Sequence, residues 1–254
     1  MYPVQDSEKW FEIPVVATNI CDYDRSFGVE VDDKASNAIE KKQYVVESNT
    51  VTIKAGERVA KFRMKGVYEN IGKTDSLSVT FNLLAKDENI WDLYGTRTRV
   101  QMQKACPFEL STFEGYCLLT SSFFSAYMTN TEHRLLQAER DKAEDNTIIL
   151  HDFFYKNYDL KIKYDPSDPL KPFVEFDEQI IGSTAEAFGT IYGNGKLMCD
   201  QPVAYDSYYN VCQKFVILYT TIYVVGKGTV GTYVNILEWI SDEEAEQYKK
   251  EEGL

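Results

Sequence analysis

The sequence predicts an all-β fold in two parts, and three observations predict it. First, apolar and polar residues alternate at period two in one segment after another. In SLSVTFNLLA (76–85), Leu77, Val79, Phe81 and Leu83 fall on one face, and Ser76, Ser78, Thr80 and Asn82 on the other. Second, short turns rich in Asp, Asn and Gly separate these segments. Third, the texture changes near residue 100, through WDLYGTRTRVQMQKACPFE, and a second series of alternating segments follows. The expected parts are a β-sandwich over residues 1–103 and an antiparallel barrel or second sandwich over 104–254, ending in a short helix.

The expected strands of the first part are EIPVVAT (12–18), SFGVEV (26–31), TVTIKAG (50–56), RVAKFRMKG (58–66) and the segment quoted above. In RVAKFRMKG, Ala60, Phe62 and Met64 point one way and Lys61, Arg63 and Lys65 the other, a sheet with one dry and one wet face. The second part continues through EGYCLLTSSFF, NTIILHDFF, YDLKIKYD, PFVEFD, EAFGTIYG, KFVILYTTIYVVG and TYVNILEWIS. KFVILYTTIYVV is apolar on both faces and reads as a strand covered on both sides. TEHRLLQAERDKAEDN (131–146) breaks the pattern: Leu135, Leu136 and Ala138 suit a short helix running into a charged turn. GNGK (193–196) and GKGTVG (226–231) read as hairpin turns, with Asn194-Gly195 suited to positive φ. At the end, Ser241 followed by Glu244 is a capping box opening a solvated helix.

Charge narrows the partners. A formal net charge of −13 disfavours nucleic acid and anionic membrane surfaces, which need a basic stripe. The acidity is compatible with neutral partners such as glycans. No run of 18 apolar residues occurs, so no membrane-spanning helix is expected. The start, MYPVQDSEKW, lacks both a basic and an apolar leader region, as expected of a cytosolic protein or of a chain whose signal has been removed. Five cysteines, Cys21, Cys106, Cys117, Cys199 and Cys212, fit no zinc spacing. Cys199 with Cys212 is the easiest disulfide by separation, against buried free thiols as the other reading.

Few constellations carry chemistry. A nucleophilic triad needs an oriented histidine, and Asp152 beside His151 on a strand would point to the opposite face. His133 lies in a charged run. Asp165, Asp168, Glu175 and Asp177 are close in sequence, but solvated loop and strand positions account for them without a glycosidase. Asp22, Asp24, Asp32 and Asp33 match no calcium loop and read as turn residues. No catalytic residue, metal or cofactor is therefore expected. Aromatic residues remain. In DQPVAYDSYYN (200–210), Tyr205, Tyr208 and Tyr209 with Asn210 read as a loop whose rings and polar groups suit sugars, which present C–H faces and polar edges. Trp91 and Tyr94 make a second such patch.

Further residues carry a resemblance. VVATN, DYDRSFGVEV, QYVVES, TVTIKAG and RVAKFRMK follow one another with an Asp24-Arg25 pair, Tyr44 and an Ala55-Gly56 turn in set places. This order resembles the Calx-beta-like, immunoglobulin-type domain at the start of many Bacteroidetes surface lipoproteins. The second half, through GYCLLTSSFF and NTIILHDFFY…LKIKYD, looks like the all-β domain appended to it. The resemblance implies an immunoglobulin-like first part, a leader with a lipid-accepting cysteine outside the given chain, and residence secreted or lipid-anchored at the outer membrane or cell surface. Cys21 is not that cysteine, since it follows the first strand. Calcium ligation is not carried over, because the acidic spacing differs. The expected function is non-catalytic binding of a glycan or surface protein, with a structural or assembly role through exposed strand edges as the alternative.

Overall fold

A computed structural model describes residues 1–86, 95–169 and 171–252. The chain divides into two compact units, Met1–Cys106 and Pro107–Leu254.

The first unit holds β1 (Tyr2–Val4), β2 (Phe11–Val16), β3 (Arg25–Val31), β4 (Tyr44–Val46), β5 (Thr50–Ile53), β6 (Val59–Gly66), β7 (Leu77–Leu84) and β8 (Arg97–Lys104). They form a five-stranded sheet, β1-β8-β7-β3-β5, and a three-stranded sheet, β2-β6-β4. Period two explains the packing: Phe62 and Met64 of β6 face Val79, Phe81 and Val100 of the other sheet in one core. Gly66 permits close approach of β1, since a Cβ there would meet the Val4 side chain at 2.6 Å. Asp24 and Arg25 serve as a clamp. The Asp24 carboxylate accepts from the Ala55 amide at 2.9 Å, and the Arg25 guanidinium donates to the carbonyls of Asn19 and Glu57. On β7 the polar face is covered too. Thr80 donates to the Ala35 carbonyl and the Ser78 amide to Asn37, so segment 32–38 satisfies what it buries.

The second unit holds β9 (Gly115–Ser121), α1 (Ser122–Tyr127), β10 (Arg134–Arg140), β11 (Thr147–Leu150), β12 (Leu160–Asp165), β13 (Phe173–Glu175) and β14 (Gln179–Ser183). After these come α2 (Thr184–Phe188), β15 (Lys196–Asp200), β16 (Tyr208–Asn210), β17 (Phe215–Val224), β18 (Gly228–Ile240) and α3 (Asp242–Glu252). The ring β9-β10-β11-β12-β13-β16-β17-β18 closes because β18 pairs with both β17 and β9. All its pairings are antiparallel. The hairpin β14–β15 extends the wall along the second half of β17.

The barrel is filled. Leu119, Leu136, Ile148, Ile162, Leu218 and Leu237 point inward and are fully buried or nearly so. Aromatic clusters plug it before and after β9. Phe113 packs on Tyr164, Tyr209 and Trp239, and Phe123 on Phe154. Between them, buried Asn235 donates to the Leu218 carbonyl and Thr220 hydroxyl and accepts from Ser121 at 2.6 Å, a satisfied polar group in an apolar interior.

Several expectations are corrected. Segment 134–140 is β10, not a helix, because Leu136 and Ala138 point inward while Gln137 and Glu139 point out, and both neighbouring strands pair with it. Within EAFGTIYG the expected strand is replaced by α2, whose capping box joins Ser183 and Glu186 and whose stop is Gly189 at φ 72°. SSFF opens α1, capped by Ser121. KFVILYTTIYVV is covered on one face only; its outward residues stay half-buried. In GNGK the positive φ falls on Gly193 and Gly195 rather than on Asn194. Cys199 is not paired with Cys212. Cys117 and Cys199 are buried free thiols, Cys21 is also free, and Cys106 and Cys212 are disulfide-bonded. Burial pushes the Cys117 and Cys199 thiols far above the ordinary range, which leaves them unreactive. At the C-terminus the Ser241–Glu244 capping box forms and opens α3.

Candidate functional site

The tyrosines of DQPVAYDSYYN part company at β16. Tyr208 and Tyr209 are neighbours on a strand, so their rings leave by opposite faces. Tyr209 points in, 3% exposed, with its hydroxyl donating to the Asp165 carbonyl at 3.3 Å. Burial pushes that hydroxyl up to about 12. Tyr209 is therefore core, a correction to its place among binding residues. Asn210 spends its amide oxygen accepting from the Gln213 amide at 3.0 Å, which closes the turn into β17.

Tyr205 and Tyr208 face solvent, 53% and 42% exposed. Tyr205 lies on Tyr219 with ring centroids 5.1 Å apart and planes at 21°. Tyr208 stands opposite Ile217 in register and meets the ring of Phe215 edge-on at 6.2 Å. The outward side of β17 thus presents Phe215, Ile217, Tyr219, Thr221 and Tyr223. Polar groups interleave with the rings. The Thr221 and Thr232 hydroxyls lie 3.1 Å apart, and the Tyr223 hydroxyl donates to the Glu178 carboxylate. That contact holds Tyr223 protonated, pushing it up to about 12. Phe215, Tyr219 and Tyr223 escaped the sequence reading, although aromatics at every fourth residue of an alternating strand were the available signal. Trp91 and Tyr94 lie outside the described residues.

The acidic and histidine groups are occupied elsewhere. His151 follows β11 in a turn, and its Nδ1 meets Asp159, not Asp152, at 3.0 Å, while Nε2 lies 3.3 Å from Glu139. With a carboxylate at each ring nitrogen, no hydroxyl nucleophile shares it. Asp24 and Asp32 sit at opposite ends of β3, engaged by Lys54 and Arg97 respectively, and do not converge. Asp165 accepts from the Ser167 amide at 2.9 Å, and Glu175 faces Lys163.

The fold and this face define an all-β protein that carries a closed barrel with a half-exposed aromatic outer wall. The chain belongs to DUF4984, a domain of unknown function, which matches residues 93–251. A protein of unknown function from Bacteroides ovatus is similar over 91% of this chain and 81% of its own, at 9% identity and a TM-score of 0.36. An auxiliary nutrient binding protein from Bacteroides thetaiotaomicron VPI-5482 is similar over 91% and 82%, at 11% identity and a TM-score of 0.29. A Bacteroides ovatus ATCC 8483 protein assigned by conjecture to carbohydrate binding is similar over 92% and 71%, at 10% identity and a TM-score of 0.31. Likeness of this degree is no guide to what the present chain binds. None of the curated proteins matches it in sequence.

Proposed function

We propose that the protein is a non-catalytic module that binds glycan chains on the outer wall of its barrel. The observation that carries this reading is the Tyr205–Tyr219 stack, which holds an aromatic ring flat on the surface with its outer face open. A sugar ring lays its C–H face on such a platform and turns its hydroxyls to the neighbouring Thr221, Thr232 and Tyr208, and Glu178 beside Tyr223 stands further along β17 for the next sugar of the chain. A few stacking and edge contacts give roughly micromolar to millimolar affinity. The assembly alternative needs an open strand edge, and two edges are blunted: β2 by Pro14 and β14 by a bulge between Ile180 and Gly182.

Retention of the protein in gels containing soluble polysaccharides, beside a glycan array, tests this reading. Tyr205→Ala abolishes retention, while Tyr23→Ala, at an exposed tyrosine of the first unit, leaves it unchanged. Absence of glycan binding by the unaltered protein overturns the reading.

The same reading includes the Calx-beta-like kinship of the first unit and residence at the cell surface or lipid-anchored in the outer membrane. Disulfide-bonded Cys106 and Cys212 favour an oxidising compartment. Among the described residues no helix is long and apolar enough to cross a membrane. Protease treatment of intact producing cells digests the protein on this reading; full protection would refute surface exposure.

A further inference from the structure

A recess of about 520 Å³ opens between residues 130–135, the turn before β10 and its first two residues, and Tyr248 of α3. That volume lies within the roughly 300–1,000 Å³ of small-molecule sites. We infer that it is a second ligand site, taking a single polyhydroxylated ring, that is, a monosaccharide or the terminal residue of a glycan.

The lining chooses the ligand class. Asn130 brings an amide, Glu132 a carboxylate, His133 an imidazole and Tyr248 a phenol. Donors and acceptors are interleaved, and a sugar hydroxyl answers either, because it both donates and accepts. Thr131, Arg134 and Leu135 complete the lining, and the Arg134 guanidinium donates to the Asp152 carbonyl at 3.1 Å. An apolar ligand would strand the polar groups, and an anion drawn to Arg134 would also face the Glu132 carboxylate.

The imidazole and the rim are held in shape, while the Glu132 carboxylate stands in solvent, 91% exposed. The Thr120 hydroxyl lies 2.8 Å from His133 Nδ1 and fixes the imidazole. Its other nitrogen then stands 3.8 Å from Glu132, an adjacent pair suited to neighbouring hydroxyls. The Tyr248 hydroxyl donates to the His133 carbonyl at 3.3 Å and ties α3 to the rim.

The recess and the aromatic face are separate places on one wall. Outward positions run from Thr120 through Ile236 and Ile217 to Tyr208 by strand pairing, and His133 stands beside Thr120 at the start of β10. From β10 to β16 is four strand spacings, about 19 Å along the wall. A ligand in one leaves the other open.

The chain has two histidines, so His133 and His151 give two resolvable sets of imidazole NMR signals. The probes are glucose, galactose, mannose, fucose and N-acetylglucosamine, each titrated to about 50 mM, with sodium acetate as the anionic comparison. The expected result is a saturable shift of His133 with at least one sugar while His151 stays still. Glu132→Gln raises the saturation midpoint by roughly tenfold, the effect of weakening one charge-assisted hydrogen bond. An unmoved His151 signal in that variant verifies that the barrel is folded. Tyr205→Ala leaves the His133 response intact, which separates this site from the proposed glycan face. A motionless His133 with every sugar, equal movement of both histidines, a response to acetate alone, or loss of the response in Tyr205→Ala each overturns the inference.

Discussion

Tyr205 rests flat on Tyr219, 5.1 Å between ring centroids, and the two come from different elements: the segment before β16 and the outward side of β17. The strand ring is the anchor and the loop ring is the surface. Such a pair contributes about 0.5–1.5 kcal/mol beyond the area it buries. Tyr219→Ala should therefore lower the urea midpoint slightly and release Tyr205 from its orientation. Polysaccharide retention should fall in Tyr219→Ala almost as far as in Tyr205→Ala and persist in Tyr219→Phe, which keeps the stack. Full retention in Tyr219→Ala would show that the stack is not the platform.

Tyr209 behaves in the opposite way. It packs among Phe113, Tyr164 and Phe108 at centroid distances of 5.6, 5.1 and 5.5 Å. Truncation to Ala should cost about 3–5 kcal/mol, the range for large buried aromatics. Tyr209→Phe removes one 3.3 Å hydrogen bond and should cost about 1 kcal/mol. Urea unfolding measures both. A combined alanine variant at 205, 208 and 209 would report loss of the barrel rather than loss of binding. A near-neutral Tyr209→Ala would place this ring outside the core.

The contrast between Tyr208 and Tyr209 shows what was legible. Period two is local, so β6, β7 and β12 can be read from their own residues, whereas β17, apolar throughout, shows a strand but not which face is buried. β16 has three residues, too few to show a period, so its own sequence does not distinguish it from a loop. Segment 134–140 satisfies a helical pattern through Leu135, Leu136 and Ala138; pairing with β9 and β11 decides for strand, and both partners lie outside the segment itself. The capping box at Ser183 is as readable as the one at Ser241, but the residues after it also suit a strand. The Tyr205–Tyr219 stack depends on a strand register that no single segment encodes.

Asp141 links the barrel to pH. Its carboxylate is almost fully buried, accepts from the Ala143 amide at 2.8 Å and pairs with Lys161 of β12. The Lys161 hydrogen bond, then the backbone amide, hold it below the ordinary carboxylate value. A depressed native pKa means that the stabilisation is complete above the unfolded value near 4 and is lost as pH falls through the native one. Lys161 is raised by the same contact, so its share is complete below its unfolded value near 10.5 and is lost as pH rises through the native one. Asp141→Asn should lower the urea midpoint at pH 7 and flatten its decline below about pH 4. An acid limb identical to that of the parent would exclude Asp141 as a contributor.

Where the barrel wall passes from β12 to β14, a side chain takes the place of a strand. Gln179 Oε1 accepts from the Lys161 amide at 2.8 Å, and its Nε2 donates to the Lys161 carbonyl at 2.9 Å. A primary amide carries the same donor and acceptor as a peptide unit, so the ladder continues through it. Gln179→Ala leaves both Lys161 groups without that partner and should cost about 1–3 kcal/mol, for two hydrogen bonds of about 0.5–1.5 each. Exchange of the Lys161 amide hydrogen should quicken while that of Ile162, inside the ladder, changes little. Gln179→Glu is the sharper test: at pH 7 it sets a carboxylate against the Lys161 carbonyl and removes the donor. It should be less stable than Gln179→Ala at pH 7 and regain stability relative to Gln179→Ala below about pH 4, where the protonated acid can donate. Equal stability of the two variants at both pH values would show that the seam does not depend on this amide.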